Sequence, residues 1–144
     1  YDFVFSVSVF EHLLMPWVAA VELNKVMANG GYAYIQSHPT WPLHDEPWDF
    51  FRLSKYAWKG MFNSDTGCEI LAADHVQEAR ILPLSDHCDA FARILSMCDH
   101  DKTFICINDQ HTFLASACLI RNISEPGVEW SFDPSSIFDL NYSH

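Results

Sequence analysis

The chain has 144 residues, 49% of them hydrophobic and 15% aromatic, enough to fill the core of one domain and to exclude disorder throughout. A formal charge of -11 with 8 lysines and arginines argues against nucleic acid or an anionic membrane as a partner, because both demand a positive surface. No run approaches the roughly 20 apolar residues of a membrane span, and no charged segment precedes a short apolar one at the start, so the chain reads as soluble and cytoplasmic.

The first stretch, YDFVFSVSVFEHLLMPWVAAVELNKVMANGGYAYIQS, reads as strand, helix, turn, strand. Phe3-Val4-Phe5 and Val7 form an apolar run with little polar alternation, which suits a strand buried on both faces of a parallel sheet. Pro16 stands where a first helical residue is favoured, and Ala19, Ala20, Leu23, Val26 and Met27 follow at helical spacing, with Glu22 and Lys25 off that stripe. Asn29-Gly30-Gly31 supplies residues that tolerate a left-handed cap. Tyr32 to Ile35 is strand-like again, completing a βαβ unit.

The segment from His38 to Arg52 carries prolines at 39, 42 and 47 among aromatics, which forbids a helix or a central strand. It is expected to be an ordered loop at the carboxyl end of the second strand, where ligands bind in open α/β sheets. Ser54 is a candidate N-cap, with Leu53 and Trp58 spaced as a hydrophobic staple, for a helix reaching Phe62 or Asn63 with Ala57, Met61 and Phe62 inward. A strand signal spans Cys68 to Leu82, and helical spacing returns from Ser85 to Cys98. Thr103 to Ile107 and Thr112 to Ile123 read as two further strands about an Asn108-Asp109-Gln110 turn, closing the sheet as an antiparallel edge hairpin.

The expected fold is α/β, a partial Rossmann-like and mostly parallel sheet with flanking helices and that hairpin. Residues 1–123 form the domain and 124–144 a loosely docked or frayed tail. The 5 cysteines, Cys68, Cys88, Cys98, Cys106 and Cys118, include no C-x-x-C pair and read as small buried hydrophobes rather than a disulfide framework or zinc ribbon. His87-Cys88-Asp89 and Cys98-Asp99-His100 hold ligand-type residues, but their spacing does not secure a tetrahedral site.

Three motifs in order, Phe10-Glu11-His12, Ala28-Asn29-Gly30-Gly31 and the Pro-rich segment with Asp49-Phe50-Phe51-Arg52, resemble the carboxyl-terminal half of a class I S-adenosylmethionine-dependent methyltransferase of the small-molecule type. The resemblance implies that the first strand and helix here are the fourth strand of that fold and its successor. The family's earlier Gly-rich turn and ribose-binding acid have no counterpart in this sequence, so the S-adenosylmethionine site implied is partial. Its rim is Ser6, Val7, Ser8, Phe10, Glu11 and His12. Some relatives of this type hold a metal through Glu-x-x-Glu-His; Ser8 occupies the first acidic position here, so no metal is expected and Glu11 is read as favouring the helix N-terminus.

Methyl transfer needs in-line positioning and, for a poor nucleophile, a base. His38, His44 and Asp45 are the candidate bases on the loop where the family places acceptor contacts, and Arg52, Trp41 and Trp48 are candidate acceptor contacts. Arg52 has a second reading, pairing with Asp45 or Asp49 to pin the loop. The implied function is methyl transfer to a small-molecule hydroxyl or amine. Two alternatives stand beside it: a truncated, non-catalytic interaction domain that pairs with a second copy through an exposed sheet edge, forming a homo-oligomer, and another nucleotide-binding α/β enzyme.

Overall fold

The computed structural model describes residues 1–81 and 110–129. The candidate helix from Ser85 to Cys98, the candidate strand from Thr103 to Ile107, their cysteines, and the end of the tail from 130 lie outside the described residues. The chain forms β1 (Phe3–Val7), a 3-10 turn (Phe10–His12), α1 (Pro16–Val26), β2 (Tyr32–Ser37), α2 (Trp58–Met61), a second 3-10 turn (Ser64–Thr66), β3 (Cys68–Ile81) and β4 (Gln110–Asn122).

The sheet order is β1-β2-β4-β3. β1 and β2 are parallel, with Phe5 opposite Tyr34, as the βαβ reading requires. β4 is antiparallel to both β2 and β3, placing Ser116 opposite both Ser37 and His75. This is a mixed α/β sheet with an antiparallel hairpin at one edge, and within the described residues β4 pairs with β3 in that hairpin. A bulge between Ile70 and Ala72 offsets the long β3–β4 ladder.

Both helices lie on one face, over Ala33, Ile35, Cys118 and Ile120, with Phe10, Trp58, Met61 and Phe62 filling the space between. The opposite face of β1 is open among the described residues: Phe3 is 56% exposed and Phe5 67%, and Phe5 stacks on Tyr34 at 5.5 Å. The apolar run therefore does not mark a strand covered on both sides here; its side chains alternate between the core and an uncovered apolar face.

Helix α1 begins at Pro16 as expected; of its expected stripe Ala20 and Met27 are buried and Leu23 packs against the core, while Val26 is exposed and Pro16, Val21 and Asn24 are buried as well. Asn24 displaces the apolar choice because it links three segments. Its Nδ2 donates to the carbonyls of Gly67 and Ser124 at 2.9 and 3.2 Å, and to Asn122 Oδ1 at 3.2 Å, while Asn122 Nδ2 donates to the Met27 carbonyl at 3.1 Å. Buried polar atoms need such partners, and a pattern scored on apolar residues alone overlooks a stripe position of this kind. The Ser124 carbonyl also sits where any side chain at Gly67 would clash, and Gly67 has φ +72, so only glycine fits there.

The left-handed residue after α1 is Gly30 at φ +78, in a turn closed by Gly31 N–H donating to the Ala28 carbonyl at 2.8 Å. It lies in a turn beyond the helix end rather than at the cap itself, because Met27 is already extended. Ser54 does not cap a long helix. Residues 55–57 form turns and α2 is a single helical turn, with Leu53, Trp58, Met61 and Phe62 buried. Cys68 and Cys118 are buried free thiols, and burial pushes the Cys118 thiol up to about 12. No helix among the described residues is long and apolar enough to cross a membrane.

Candidate active site at the carboxyl ends of β1 and β2

The parallel pair ends at Val7 and Ser37, and the chain leaves both strands in the same direction. Ser8 turns out of β1 at φ +54, a conformation that is uncommon outside glycine, asparagine and aspartate, and its N–H donates to the Gln36 carbonyl at 3.0 Å. The 3-10 turn that follows places Glu11 beneath the Pro-rich loop. The Glu11 carbonyl accepts from the N–H groups of Phe50 and Phe51 at 2.9 and 3.2 Å, and the loop closes where Leu53 N–H donates to the His38 carbonyl at 2.9 Å.

His38, the first residue after β2, is half-buried. Its Nδ1 lies 2.8 Å from the Leu114 carbonyl. A carbonyl only accepts, so Nδ1 carries a proton, and in the neutral form of the ring Nε2 presents a lone pair. The Ser8 hydroxyl donates to that Nε2 at 2.9 Å, and Glu11 Oε1 faces the same nitrogen from 3.5 Å. Trp41 stacks on the imidazole with centroids 5.0 Å apart.

Glu11 is fully buried, accepting from the Ser37 hydroxyl at 2.6 Å through Oε2, while Oε1 has no hydrogen-bond partner. It therefore does not act as an exposed acid at a helix start: α1 begins only at Pro16, and Glu11 sits under the loop. Ser37 was overlooked by motif reasoning, although the inward alternation Ala33, Ile35, Ser37 along β2 carries the signal for it.

His12 and His44 pack edge-to-face at 4.8 Å. Asp49 organises the loop around them. Both of its carboxylate oxygens accept from Arg52 at 2.6 Å, and Oδ2 accepts from the His44 N–H at 2.8 Å. Arg52 also donates to the carbonyls of Trp41, Phe51 and Pro42 at 2.7–2.9 Å. These contacts occupy all of its donor N–H groups, so Arg52 pins the loop through Asp49, the geometry of the second of its two readings.

Three other expected site residues stand apart. Phe10 points into the core against Trp58 at 5.8 Å and Phe62 at 6.0 Å, so its ring is not on the rim. Asp45 is exposed at φ +50 on the outer turn of the loop, away from the histidine cluster's hydrogen bonds. Trp48 is 55% exposed, and its carbonyl meets His12 Nδ1 at 2.7 Å. Ser6 is half-buried within β1 and Val7 is on the open face, which leaves Ser8 as the member of that turn aimed at His38.

The guanidinium of Arg52 holds the Asp49 carboxyl down at about 2, against a burial that acts the other way. A carboxylate depressed in the fold adds stability above its unfolded value near 4, and that stability is lost as pH falls toward 2. Acid titration of urea stability in chelator-containing buffer should therefore show a loss of about 2 kcal/mol between pH 4 and 2 that Asp49→Asn removes.

No protein-family model and no curated protein matches the chain. Solved structures do. A candidate methyltransferase from Bacillus halodurans C-125 superposes with a TM-score of 0.54 at 13% identity, over 85% of this chain and 64% of that one. The YcgJ protein of Bacillus subtilis matches with a TM-score of 0.46 at 16% identity, over 84% of this chain and 63% of that one. A complex of the Haloferax volcanii Trm112 methyltransferase activator with a candidate methyltransferase matches with a TM-score of 0.49 at 18% identity, over 90% of this chain and 56% of that one. The chain thus spans less than two thirds of the length of these structures. The first of them establishes a methyltransferase-like fold.

Proposed function

We propose that the protein contributes the acceptor side of an S-adenosylmethionine-dependent methyl transfer to a small-molecule hydroxyl or amine. The observation that carries this reading is the meeting of Ser8 and His38 at the carboxyl ends of a parallel pair, with the basic Nε2 of His38 turned to the strand-end turn. In this fold that edge of the sheet is where a ligand sits.

The exposed, left-handed turn at Ser8 fits the amino-acid end of the cofactor. The described residues contain no Gly-rich turn and no strand-end acid for its ribose, so the fit is to that end alone. Bound there, the cofactor supplies an electrophilic methyl group. The chain's own part is to hold the acceptor and take its proton. An acceptor hydroxyl that displaces the Ser8 hydroxyl donates to His38 Nε2, which is held in its proton-accepting form by the bond from Nδ1 to the Leu114 carbonyl. The Trp41 ring stacked on His38 fixes the plane of the imidazole and gives an apolar wall beside it.

Calorimetric titration of the full-length protein with S-adenosylhomocysteine tests this reading. It predicts one binding site, weakened at least tenfold by Ser8→Val, because a β-branched residue does not adopt the positive φ of that turn. Absence of binding contradicts it.

The open face of β1 supports a second reading, an interaction domain that pairs with a second copy. Phe3, Phe5 and Tyr32 expose 40–67% of their surface beside an edge strand that among the described residues pairs only with β2. Light scattering separates the two: a dimer dispersed by Phe5→Glu supports pairing, and a strict monomer contradicts it.

A further inference from the structure

We propose that Ser8 is a nucleophile activated by His38, and that the pair hydrolyses small uncharged esters through an acyl-Ser8 intermediate. Nucleophilic catalysis by a hydroxyl requires three parts: the hydroxyl, a base within hydrogen-bond reach, and a third group that orients the base. All three meet here. The Ser8 hydroxyl lies 2.9 Å from His38 Nε2, and His38 Nδ1 lies 2.8 Å from the Leu114 carbonyl, which stands where a carboxylate stands in a Ser-His-Asp triad.

Two further observations separate this pair from an incidental surface hydrogen bond. Ser8 leaves the end of β1 at φ +54, is exposed, and leads into the 3-10 turn at Phe10–His12. A strained turn between strand and helix is how many hydrolases present their serine, and the N–H of the following residue donates to the oxyanion there. That residue is Val9, and among the described residues no hydrogen bond uses its N–H. The second observation is Glu11, fully buried, with Oε1 lacking a hydrogen-bond partner at 3.5 Å from the same Nε2. A buried acceptor left unpaired is costly, and a carboxylate there stabilises the imidazolium that forms when His38 takes the Ser8 proton.

Ser8 Oγ bonds to the ester carbonyl carbon as its proton passes to His38 Nε2. The bond from that carbon to the alkoxy oxygen then breaks, the leaving oxygen takes the proton from Nε2, and the alcohol departs. Water attacks the acyl-Ser8 carbonyl and gives a proton to Nε2; the bond from Oγ to the acyl carbon breaks, Oγ recovers the proton, and the carboxylic acid leaves. The Trp41 ring stacked on His38 offers an apolar wall to the acyl or alcohol group, and a net charge of -11 disfavours anionic esters. The activity shares its residues with the methyl-transfer reading but does not rest on it, because hydrolysis needs only water as co-substrate.

The test treats the full-length protein with diisopropyl fluorophosphate, which labels activated serines, and follows hydrolysis of p-nitrophenyl acetate. Mass spectrometry should find one label per chain, on Ser8, and labelling should remove the esterase activity. Ser8→Gly keeps the positive φ while deleting the hydroxyl, so it should abolish that label and lower kcat/KM at least about 10²-fold. His38→Gln should slow both labelling and turnover by about 10²–10⁴-fold. Circular dichroism checks the folding of each variant, and the wild-type label needs no variant. An unlabelled wild-type protein, a label on another residue, or undiminished turnover by folded Ser8→Gly overturns the proposal; the last result would assign the hydrolysis to imidazole alone. Binding of S-adenosylhomocysteine is measured separately, so the failure of either reading leaves the other to its own result.

Discussion

Replacing Trp58 with alanine destabilises the protein by about 3–5 kcal/mol in urea unfolding, the largest effect expected of any single core substitution. Trp58 is fully buried at the point where α2, the turn after β1 and the sheet meet, with Phe10 edge-on at 5.8 Å and Phe62 stacked at 6.4 Å. Alanine would leave a cavity that neither ring can fill without leaving the other. The indole also carries a specific signature, because its buried Nε1 has no hydrogen-bond partner. Trp58→Phe removes that unsatisfied donor while keeping most of the ring, so its cost should stay below about 1.5 kcal/mol. A phenylalanine variant as unstable as the alanine one would show that the full area of the indole, and not a single ring, is needed at this junction.

His38→Gln should lower methyl transfer by 10²–10⁴-fold, the usual worth of a positioned base, while leaving S-adenosylhomocysteine affinity within a factor of three. Glutamine keeps a hydrogen-bonding side chain of similar reach but offers no basic nitrogen. The assay is S-adenosylhomocysteine release from S-adenosylmethionine in the presence of a panel of small phenols and amines. His44→Gln, on the same loop, should have a smaller effect, because its Nδ1 is directed to the Pro42 carbonyl and Asp49 rather than toward Ser8. Equal losses in the two variants would mean that the loop, and not the His38 nitrogen, governs the reaction.

The path from sequence to this site was uneven, for physical reasons. Pro16, the Gly30 turn and the start of β2 were legible because backbone chemistry alone decides them: a ring that fixes φ, a residue that permits positive φ, and a β-rich run after a turn. The loop was legible through its prolines, and its anchoring by Arg52 through a nearby carboxylate, which the structure narrows from Asp45 or Asp49 to Asp49. What resisted was whatever depends on distant partners. Asn24 lies inside a helix whose apolar residues suggest a different inward stripe, and its burial is decided by Gly67, Asn122 and Ser124. Ser54 has the composition of a cap, yet Lys55 N–H turns to His75 Nε2 on β3 at 3.2 Å and the helix starts later. Of the candidate bases, sequence could not separate His38 from Asp45, because only the Leu114 carbonyl from β4, far along the chain, gives His38 its tautomer.

The central claim is that the end of β1 and the start of the Pro-rich loop form one ligand site, with Ser8 and His38 at its centre. Hydrogen exchange read by mass spectrometry, with and without S-adenosylhomocysteine, tests it most directly. The account predicts slowed exchange in peptides covering residues 6–12 and 36–44, with β3 unchanged. Protection confined to other segments, or no protection at saturating ligand, would contradict it.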